Sequence, residues 1–179
     1  GCYDTLTKYA TFPQYLNSVL PTGLTSGYRL QTKNGTDYLF DLSGKLRVIS
    51  DRNQNSVTLT YNASGQLTQV SDALNRSLSF SYNSSNKIAS ITDSNLRVYT
   101  YTYNESNDLI SVTTPAVGEY ASGLSTTYAY DTQHNITSIA DAKGNLYLQN
   151  DYDTASRVVK QIYGQGQSTF TYADGLTTF

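Results

Sequence analysis

Hydrophobic and polar residues alternate strictly over short stretches of this chain. Residues 57–61 read Val-Thr-Leu-Thr-Tyr, and the same alternation returns in residues 78–82 and 99–103. A two-residue period that pairs aromatic or β-branched side chains with small polar ones predicts a β-strand with one packed face. The hydroxyl-bearing face would make a poor core, so we expect it to meet water or a wet interior.

A turn signature follows each of these strands and repeats along the chain. It reads aromatic, Asp or Asn, two variable residues, a turn residue, one further residue, then Leu or Ile. The aromatic residues of its five complete copies are Phe40, Tyr61, Tyr82, Tyr103 and Tyr130. The first four are spaced by 21 residues, and a degenerate sixth copy starts at residue 152. A fixed period of this length predicts an array in which each unit packs only against its neighbours.

The fourth residue of each turn predicts the backbone geometry. This position holds Gly44, Gly65, Asn86, Asn107 and His134. Gly, Asn and His are residue types that tolerate the left-handed region or are enriched there, so we expect φ > 0 at all five positions. The Asp or Asn at the first position can bond to the backbone two residues on. His134, the only histidine, is therefore predicted to be a turn residue rather than a catalytic or metal-binding group.

A second turn begins with Asp about ten residues after the first one. Its starting residues are Asp51, Asp72, Asp93 and Asp141. Two turns per unit predict a meander of consecutive antiparallel hairpins. Strands are expected near residues 45–50, 56–61, 66–71, 77–82, 87–92, 97–103, 126–130 and 135–140. Because terminal strands of such a meander invite association, we expect oligomerisation or the N-terminal segment to cover the edges.

One spacing does not fit a flat strand. Leu46 and Ile49 are three residues apart, as are Leu67 and Val70, so a flat strand would place them on opposite faces. Either a β-bulge re-aims one residue of each pair, or both faces of the sheet are partly covered. The sequence leaves both alternatives open.

Two regions depart from the repeat. Residues 1–27 are predicted to be a lead segment, and the array of about six units is predicted over residues 28–179. Within the lead segment, residues 13–20 form either a short helix with Pro in its first turn or a loop with a short strand. Residues 33–36 (Lys-Asn-Gly-Thr) predict a hairpin turn. Six extra residues near 114–125 form a surface loop, which is either a tolerated insertion or a specific contact.

In a helix over residues 13–20, four apolar side chains would share one face. They are Tyr15, Leu16, Val19 and Leu20.

Composition excludes several classes of protein. The net charge is −2 and no basic block occurs, so a nucleic-acid footprint is lacking. No apolar stretch approaches the roughly 18 residues of a membrane-spanning helix. Cys2 is the only cysteine and can form no internal disulfide, although a lipidated cysteine after a removed leader stays open. Because the chain lacks Met, we expect a processed piece of a longer protein.

Signatures of catalysis and metal binding are missing from the sequence. It contains no Gly-x-Ser-x-Gly, His-Glu-x-x-His or phosphate-binding loop, and one His and one Cys offer too few soft ligands for a metal. The recurring Asp residues could ligate calcium, but turn formation explains them more simply. We therefore expect no catalytic, cofactor-binding or metal-binding residue, and no cofactor. Asn-x-Ser/Thr sequons, which matter only in a glycosylating host, occur at Asn34, Asn62, Asn75, Asn83, Asn104 and Asn135.

The repeated signature resembles the YD repeat of the Rhs (rearrangement hot spot) family. The resemblance is closest in residues 128–131 (Tyr-Ala-Tyr-Asp) and 141–145 (Asp-Ala-Lys-Gly-Asn), and it covers residues 28–179. Asn replaces Asp in the middle units, and Asn, His or, at Ser156, serine replaces the turn Gly. The family includes bacterial polymorphic toxins, shell components of insecticidal toxin complexes, wall-associated proteins and teneurins.

The resemblance implies a fold and a role. The fold is all-β, with consecutive hairpins forming a curved sheet strip or part of a hollow shell that, in the toxins, encloses a C-terminal effector. We expect a secreted or cell-surface scaffold, bacterial in origin, whose partners are flanking YD repeats and an enclosed toxin domain. The alternative is a surface adhesin, or a module that binds a glycan or a protein. The autoproteolytic segment of the family has no matching motif here, so no catalytic residue is carried over.

Overall fold

A computed structural model of the chain describes residues 4–173 and 176–178. Cys2 lies outside the described residues, as do Asp174 and Gly175 of the C-terminal repeat. The described residues form β-strands and one short 3₁₀ helix, which confirms the all-β prediction. The strands are Thr5–Tyr9 (β1), Gly27–Gln31 (β2), Asp37–Phe40 (β3), Leu46–Ser50 (β4), Ser56–Tyr61 (β5), Leu67–Asp72 (β6), Ser77–Tyr82 (β7), Ile88–Asp93 (β8), Val98–Tyr103 (β9), Leu109–Thr113 (β10), Ser125–Tyr130 (β11), Ile136–Ala140 (β12), Leu146–Tyr152 (β13), Val158–Tyr163 (β14), Gly166–Thr169 (β15), Thr171–Ala173 (β16) and Leu176–Thr178 (β17).

The chain divides into two compact units. The first comprises the described residues up to Ser81 together with Thr92–Leu96, and the second comprises Tyr82–Ile91 and the described residues from Arg97 onward. In each unit the strands lie in sequence order and pair antiparallel, from β1 to β7 in the first and from β9 to β15 in the second. Strand β8 contributes residues to both units. Strands β16 and β17 form a separate hairpin.

The eight predicted strands agree with observed strands to within one residue at each end. Strands β1 to β3, β10 and β13 to β17 were not predicted individually. The turn after residue 32 is confirmed, because the Gly35 N–H donates to the Thr32 carbonyl at 3.0 Å between β2 and β3. The meander of hairpins is therefore the fold of the described repeat region.

A β-bulge settles the three-residue spacing of the apolar residues. Thr60 pairs with Gln69, but the next residue, Tyr61, pairs with Leu67, so Thr68 is the extra residue of the bulge. The bulge turns Leu67 back onto the face that carries Tyr61. The same register shift occurs beside Phe40, Tyr103, Tyr130 and Tyr152. The bulge therefore explains the spacing, and in the first hairpins the second face is covered as well, by the lead segment.

All five predicted turn residues have a left-handed backbone. Their φ angles are 83° at Gly44, 81° at Gly65, 60° at Asn86, 65° at Asn107 and 64° at His134. The prediction from the shared turn position is thus confirmed, including the turn role of the single histidine.

The lead segment packs onto the first hairpins. Its side chains Phe12, Leu16, Val19 and Leu24 form a buried cluster with two sheet residues, Leu39 and Val48, which are completely inaccessible to solvent. Strand β1 pairs with β2, so this segment also covers the edge of the repeat sheet, as one of the two expectations had it. Oligomerisation stays a prediction.

Of the two alternatives for residues 13–20, neither the helix of that length nor the short strand is observed. Only Gln14–Leu16 is helical, and it is a 3₁₀ turn preceded by Pro13 in an extended conformation. Leu16 and Val19 do share the buried side, but Tyr15 is 56% exposed. Its hydroxyl instead accepts a 2.7 Å hydrogen bond from Arg29, because packing against the sheet outweighs the weak local preference for a longer helix.

Candidate functional site: the YD turn and the tyrosine clasp

We call the five-residue turn that starts at the Asp or Asn of the repeated signature the YD turn. Each YD turn is held by the side chain of this first residue. In the turn at Asp131, Oδ1 accepts the backbone N–H groups of Gln133 and Asn135, both at 2.9 Å, and Oδ2 accepts the Asn135 amide at 2.9 Å. Backbone hydrogen bonds close the same turn, from Asp131 N–H to the Asn135 carbonyl and from His134 N–H to the Asp131 carbonyl. Backbone N–H groups two or four residues on are accepted in the same way by Asp41, Asp51, Asn62, Asp72, Asn83, Asp93, Asn104, Asp141 and Asp153.

The turn geometry also sets the charge of these carboxylates. Hydrogen bonds to the ionised form lower a carboxyl pKa. In five turns the largest cause is the hydrogen bond from the fifth turn residue, and it holds the carboxyl pKa below its ordinary value. The five carboxyl groups are those of Asp51, Asp72, Asp131, Asp141 and Asp153. The recurring carboxylates are thus occupied in building turns. Over residues 4–173 and 176–178, no three His, Cys, Asp or Glu side chains gather in a group that could hold a metal ion.

In five repeats, a hydrogen bond from a tyrosine hydroxyl ties the repeat to the one before it. The phenol donates to the backbone carbonyl of the Leu, Ile or Val that follows the preceding YD turn, and we call this bond the tyrosine clasp. The observed clasps run from Tyr61 to Leu46 (2.9 Å), Tyr103 to Ile88 (3.1 Å), Tyr130 to Leu109 (2.9 Å), Tyr152 to Ile136 (2.8 Å) and Tyr172 to Val158 (2.6 Å). Tyr172 belongs to an incomplete C-terminal repeat, in which Ala173 takes the place of the Asp or Asn. Sequence reasoning missed the clasp, although the preference for Tyr over Phe at this position was the signal for it.

The fifth residue of a YD turn reaches the ring of the next signature tyrosine. The Lys45 ammonium stands over the Tyr61 ring, 5.2 Å from its centroid, and the Arg157 guanidinium stands over the Tyr172 ring at 4.4 Å. A cation over an aromatic face is attracted by the ring quadrupole. In each of these two repeats, the tyrosine therefore makes two contacts with the preceding repeat, the clasp and a cation–π contact.

The single histidine has a second role beyond its turn. His134 Nδ1 lies 2.6 Å from Oδ1 of Asp108, the fifth residue of the preceding YD turn. Asp108 Oδ2 accepts the Asn104 amide at 3.1 Å. The Asn104 hydrogen bond, and after it His134, lower the Asp108 pKa. His134 thus bridges two YD turns, a contact that its turn position did not predict.

The two faces of the sheet differ in chemistry, as the alternation predicted. On the hydroxyl face, Thr58 pairs in register with Ser71, and their hydroxyls lie 2.8 Å apart. Thr113 and Ser125 form the same contact in the second unit, also at 2.8 Å. In the first hairpins, Leu39 and Val48 lie on this face, and the lead segment packs against them.

The insertion near residues 114–125 forms a small closed loop. Val117 and Tyr120 exchange two backbone hydrogen bonds of 3.2 and 2.9 Å. The Thr114 N–H donates to the Leu124 carbonyl at 2.9 Å, and the Leu124 N–H donates to Thr114 Oγ1 at 3.0 Å, which closes the base. The side chains of Val117 and Tyr120 are about half exposed. A tolerated insertion and a specific contact both fit this geometry.

Comparison with known proteins identifies the family to which the repeat region belongs. Residues 20–175 match the family described as Teneurin YD-shell. The chain belongs to the teneurin YD-shell family. A comparison with curated protein sequences finds no match.

Solved structures share the fold of this YD-shell chain. The crystal structure of TcdB2-TccC3-Cdc42 is 16% identical over 82% of this chain and 9% of its own, with a TM-score of 0.58. TcdB2-TccC3 without its hypervariable C-terminal region is 19% identical over 82% and 9%, with a TM-score of 0.57. The Photorhabdus luminescens Tc holotoxin pore is 14% identical over 88% and 10%, with a TM-score of 0.59. The chain thus spans about a tenth of the length of these structures.

In the described part of the YD-shell chain, no helix has the length and apolar character needed to cross a bilayer.

Proposed function

We propose that this YD-shell chain is a wall segment of a secreted or surface-displayed shell that encloses a C-terminal toxin or effector. Its role is structural, and it carries no catalysis of its own. Its partners are the YD repeats that flank it in a longer protein and the enclosed domain. The observation that carries the proposal is the tyrosine clasp, because it joins a tyrosine side chain of one repeat to a backbone carbonyl of the preceding repeat.

Three features support a wall. The clasp needs only a tyrosine and a backbone carbonyl of the preceding repeat, and it is observed in five repeats whose neighbouring side chains differ. The carboxylate oxygens of the YD turns accept hydrogen bonds from the turns themselves, so they do not need an external ligand to satisfy them. The two faces differ, because one carries the repeat tyrosines and the other carries paired Thr and Ser hydroxyls, and a wall between two environments needs such a difference.

A second candidate function is binding of a glycan or a protein at a surface. Tyr147 and Tyr163 favour it. Their rings meet edge to face with centroids 6.4 Å apart, and Tyr147 is 37% exposed and Tyr163 66% exposed. Exposed aromatic rings are common contact groups at interfaces. This pair lies on β13 and β14 and does not depend on the clasp.

Deletion of residues 41–103 from the full-length parent protein separates the two functions. For a shell wall, we expect a C-terminal effector that resists added protease in the parent and becomes protease-sensitive after the deletion. The Tyr147→Ser/Tyr163→Ser double variant is the matched control, and it should leave the protection intact. Unchanged protection in the deletion variant, with lost adhesion in the double variant, would favour the adhesin. Hydrolytic activity of the purified YD-shell chain would contradict both.

A further inference from the structure

Consecutive YD turns are also joined by a contact between side-chain positions, from the fifth residue of one turn to the fourth residue of the next. In the first unit, the Lys45 ammonium lies so close to Gly65 that a side chain at that position would collide with it. In the second unit, the Asn135 amide donates a 3.1 Å hydrogen bond to the Ser156 hydroxyl. We call such a contact a rung. It joins neighbouring repeats at a different place from the tyrosine clasp.

The rung between Asp108 and His134 is the one that can change its charge near neutral pH. His134 Nδ1 lies 2.6 Å from Asp108 Oδ1, and His134 is the single histidine of the chain. Histidine has an ordinary pKa of about 6.5, so its charge changes between pH 5 and 8. The amide and the hydroxyl of the rung from Asn135 to Ser156 do not titrate in this range.

Protonation of His134 strengthens its rung. A neutral imidazole carries one N–H group, so it donates to the Asp108 carboxylate only in the tautomer with the proton on Nδ1. The imidazolium carries a proton on both nitrogens and a positive charge, so the hydrogen bond becomes an ion pair. The Asp108 side chain is 13% exposed and that of His134 is 60% exposed. The carboxylate is therefore shielded from water, while the imidazole can exchange protons with the solvent.

The other titratable groups on the elements next to His134 do not replace Asp108 as its partner. They are Glu105 in the preceding YD turn, Asp131 in its own turn, Tyr128 and Tyr130 on β11, and Asp153 and Arg157 in the following turn. Burial raises the pKa of both tyrosines, so they stay neutral between pH 5 and 8. Arg157 is paired with Asp153 at 2.7 Å. Asp131 accepts the hydrogen bonds of its own turn.

The charge of Asp108 sets the acid limit of the rung. The hydrogen bond from Asn104, and after it His134, hold the pKa of Asp108 below its ordinary value near 3.8. Asp108 is therefore ionised throughout the range in which the imidazole titrates. The stability that the imidazolium adds is present below the ordinary histidine pKa of about 6.5 and is lost as the pH rises through that region.

We propose that the rung between Asp108 and His134 is a proton-dependent joint, which holds the two YD turns flanking the insertion more firmly in mild acid than in mild base. The clasp from Tyr130 to Leu109 crosses the same junction and does not titrate in this range, so it keeps the repeats in register at either pH. The rung thus changes the strength of one junction without changing the fold. It is independent of the wall function and would act in a shell or in an adhesin.

The test compares the complete chain with three variants. The variants are His134→Asn, Asp108→Asn and Glu105→Gln. Asparagine already stands at the fourth turn position in Asn86 and Asn107 and at the fifth in Asn135, so the first two variants are expected to fold. Glu105→Gln removes a carboxylate from the same turn as Asp108 and is the matched control.

Urea denaturation at pH 8.0 and pH 5.5 in low salt measures the rung. Relative to His134→Asn, the equilibrium constant for unfolding of the unaltered chain should fall by about two- to fivefold between the two pH values, the range for an exposed ion pair. Asp108→Asn should lose this response, and Glu105→Gln should keep it. Added salt should weaken the response, because it screens the pair.

A long-range ¹H–¹⁵N spectrum of the single imidazole is the local measurement. At pH 8.0 we expect the Nδ1–H tautomer in the unaltered chain and a larger share of the Nε2–H tautomer in Asp108→Asn. Three results would overturn the proposal. They are an equal pH response in His134→Asn and the unaltered chain, a response that persists in Asp108→Asn, and a predominant Nε2–H tautomer in the unaltered chain.

Discussion

The phenol of Tyr130 donates a 2.9 Å hydrogen bond to the backbone carbonyl of Leu109, across the boundary between two repeat units. The insertion near residues 114–125 lies between these two residues in the sequence, yet the bond has the same length as the one from Tyr61 to Leu46. The clasp is therefore a property of the YD turn and its neighbour, not of the length of chain between them. It explains how an array can tolerate an inserted loop without losing register.

Removing a single clasp should cost a measurable amount of stability. Tyr103→Phe deletes the hydroxyl that bonds to the Ile88 carbonyl at 3.1 Å and keeps the ring. We expect the free energy of unfolding to fall by about 1 kcal/mol, the usual net value of such a bond. Urea denaturation followed by tyrosine fluorescence measures it. Tyr163→Phe is the control, because Tyr163 is 66% exposed, and an equal loss there would mean that the clasp contributes nothing special.

A leucine in the left-handed region should be replaceable with a gain in stability. Leu96 has φ of 61° and is 82% exposed, so its side chain strains the backbone and buries little. Leu96→Gly should raise the free energy of unfolding by roughly 0.5–1 kcal/mol, because relief of strain exceeds the added chain entropy. Gly44→Ala, at φ of 83° with nothing within 4 Å of the new Cβ, should lower it by about 1 kcal/mol. The same sign for both variants would refute this account of the turn.

Acid should weaken the array through its turn carboxylates. The folded-state pKa of Asp141 is lowered, first by the Asn145 amide and then by backbone N–H groups. A lowered folded pKa gives stability that is present above the unfolded value, near 3.8, and is lost as the pH falls through the folded value. Urea midpoints measured from pH 6 to pH 2 should therefore decline below about pH 4.

The control for acid sensitivity is Asp141→Asn. Asn already begins the YD turns at Asn62, Asn83 and Asn104, where it accepts the same kind of backbone hydrogen bonds. An amide oxygen can accept the same backbone N–H groups but does not titrate in this range. The variant should show a smaller decline between pH 4 and pH 2 than the unaltered chain. An identical decline would place the acid sensitivity elsewhere.

The lead segment should depend on its buried leucine. Leu16 is 4% exposed and packs against Leu39 and Val48 in the first unit. Leu16→Ala should cost about 2–5 kcal/mol, the range for leucine truncation in a core, and should expose residues 10–26 to protease. Leu6→Ala, at a residue that is 65% exposed, is the matched control and should change neither measurement. If both variants behave alike, the lead segment is not held by this cluster.

Much of the repeat was predictable because its physics is local. Strand alternation, the Asp or Asn of each turn and the left-handed fourth residue all act within a few positions, so Gly44 and His134 were both predicted correctly. The Leu96 turn shows the limit of such reasoning. Its fourth residue also has φ > 0, although leucine disfavours that region, because the hairpin geometry around it overrides the local preference.

The contacts between units were not predictable from spacing alone. The tyrosine clasp needs the register of three strands and the bulge beside Tyr61, and the sequence left the bulge undecided. The bond from His134 to Asp108 joins residues 26 positions apart, and no local rule pairs them. The conformation of the lead segment was not predictable for the same reason, because packing against the sheet at Leu39, rather than helix preference, decides it.

The central claim is that this chain is one stretch of a continuous YD-repeat wall, and a cryo-electron microscopy structure of the full-length parent tests it most directly. The account predicts that β15 is hydrogen-bonded to a strand of a further YD unit, and that the clasps from Tyr61 to Tyr172 are all present. It also predicts that one face of the sheet borders an enclosed volume containing a C-terminal domain. A separate domain with β15 unpaired, joined to the rest of the parent only by linkers, would contradict the account.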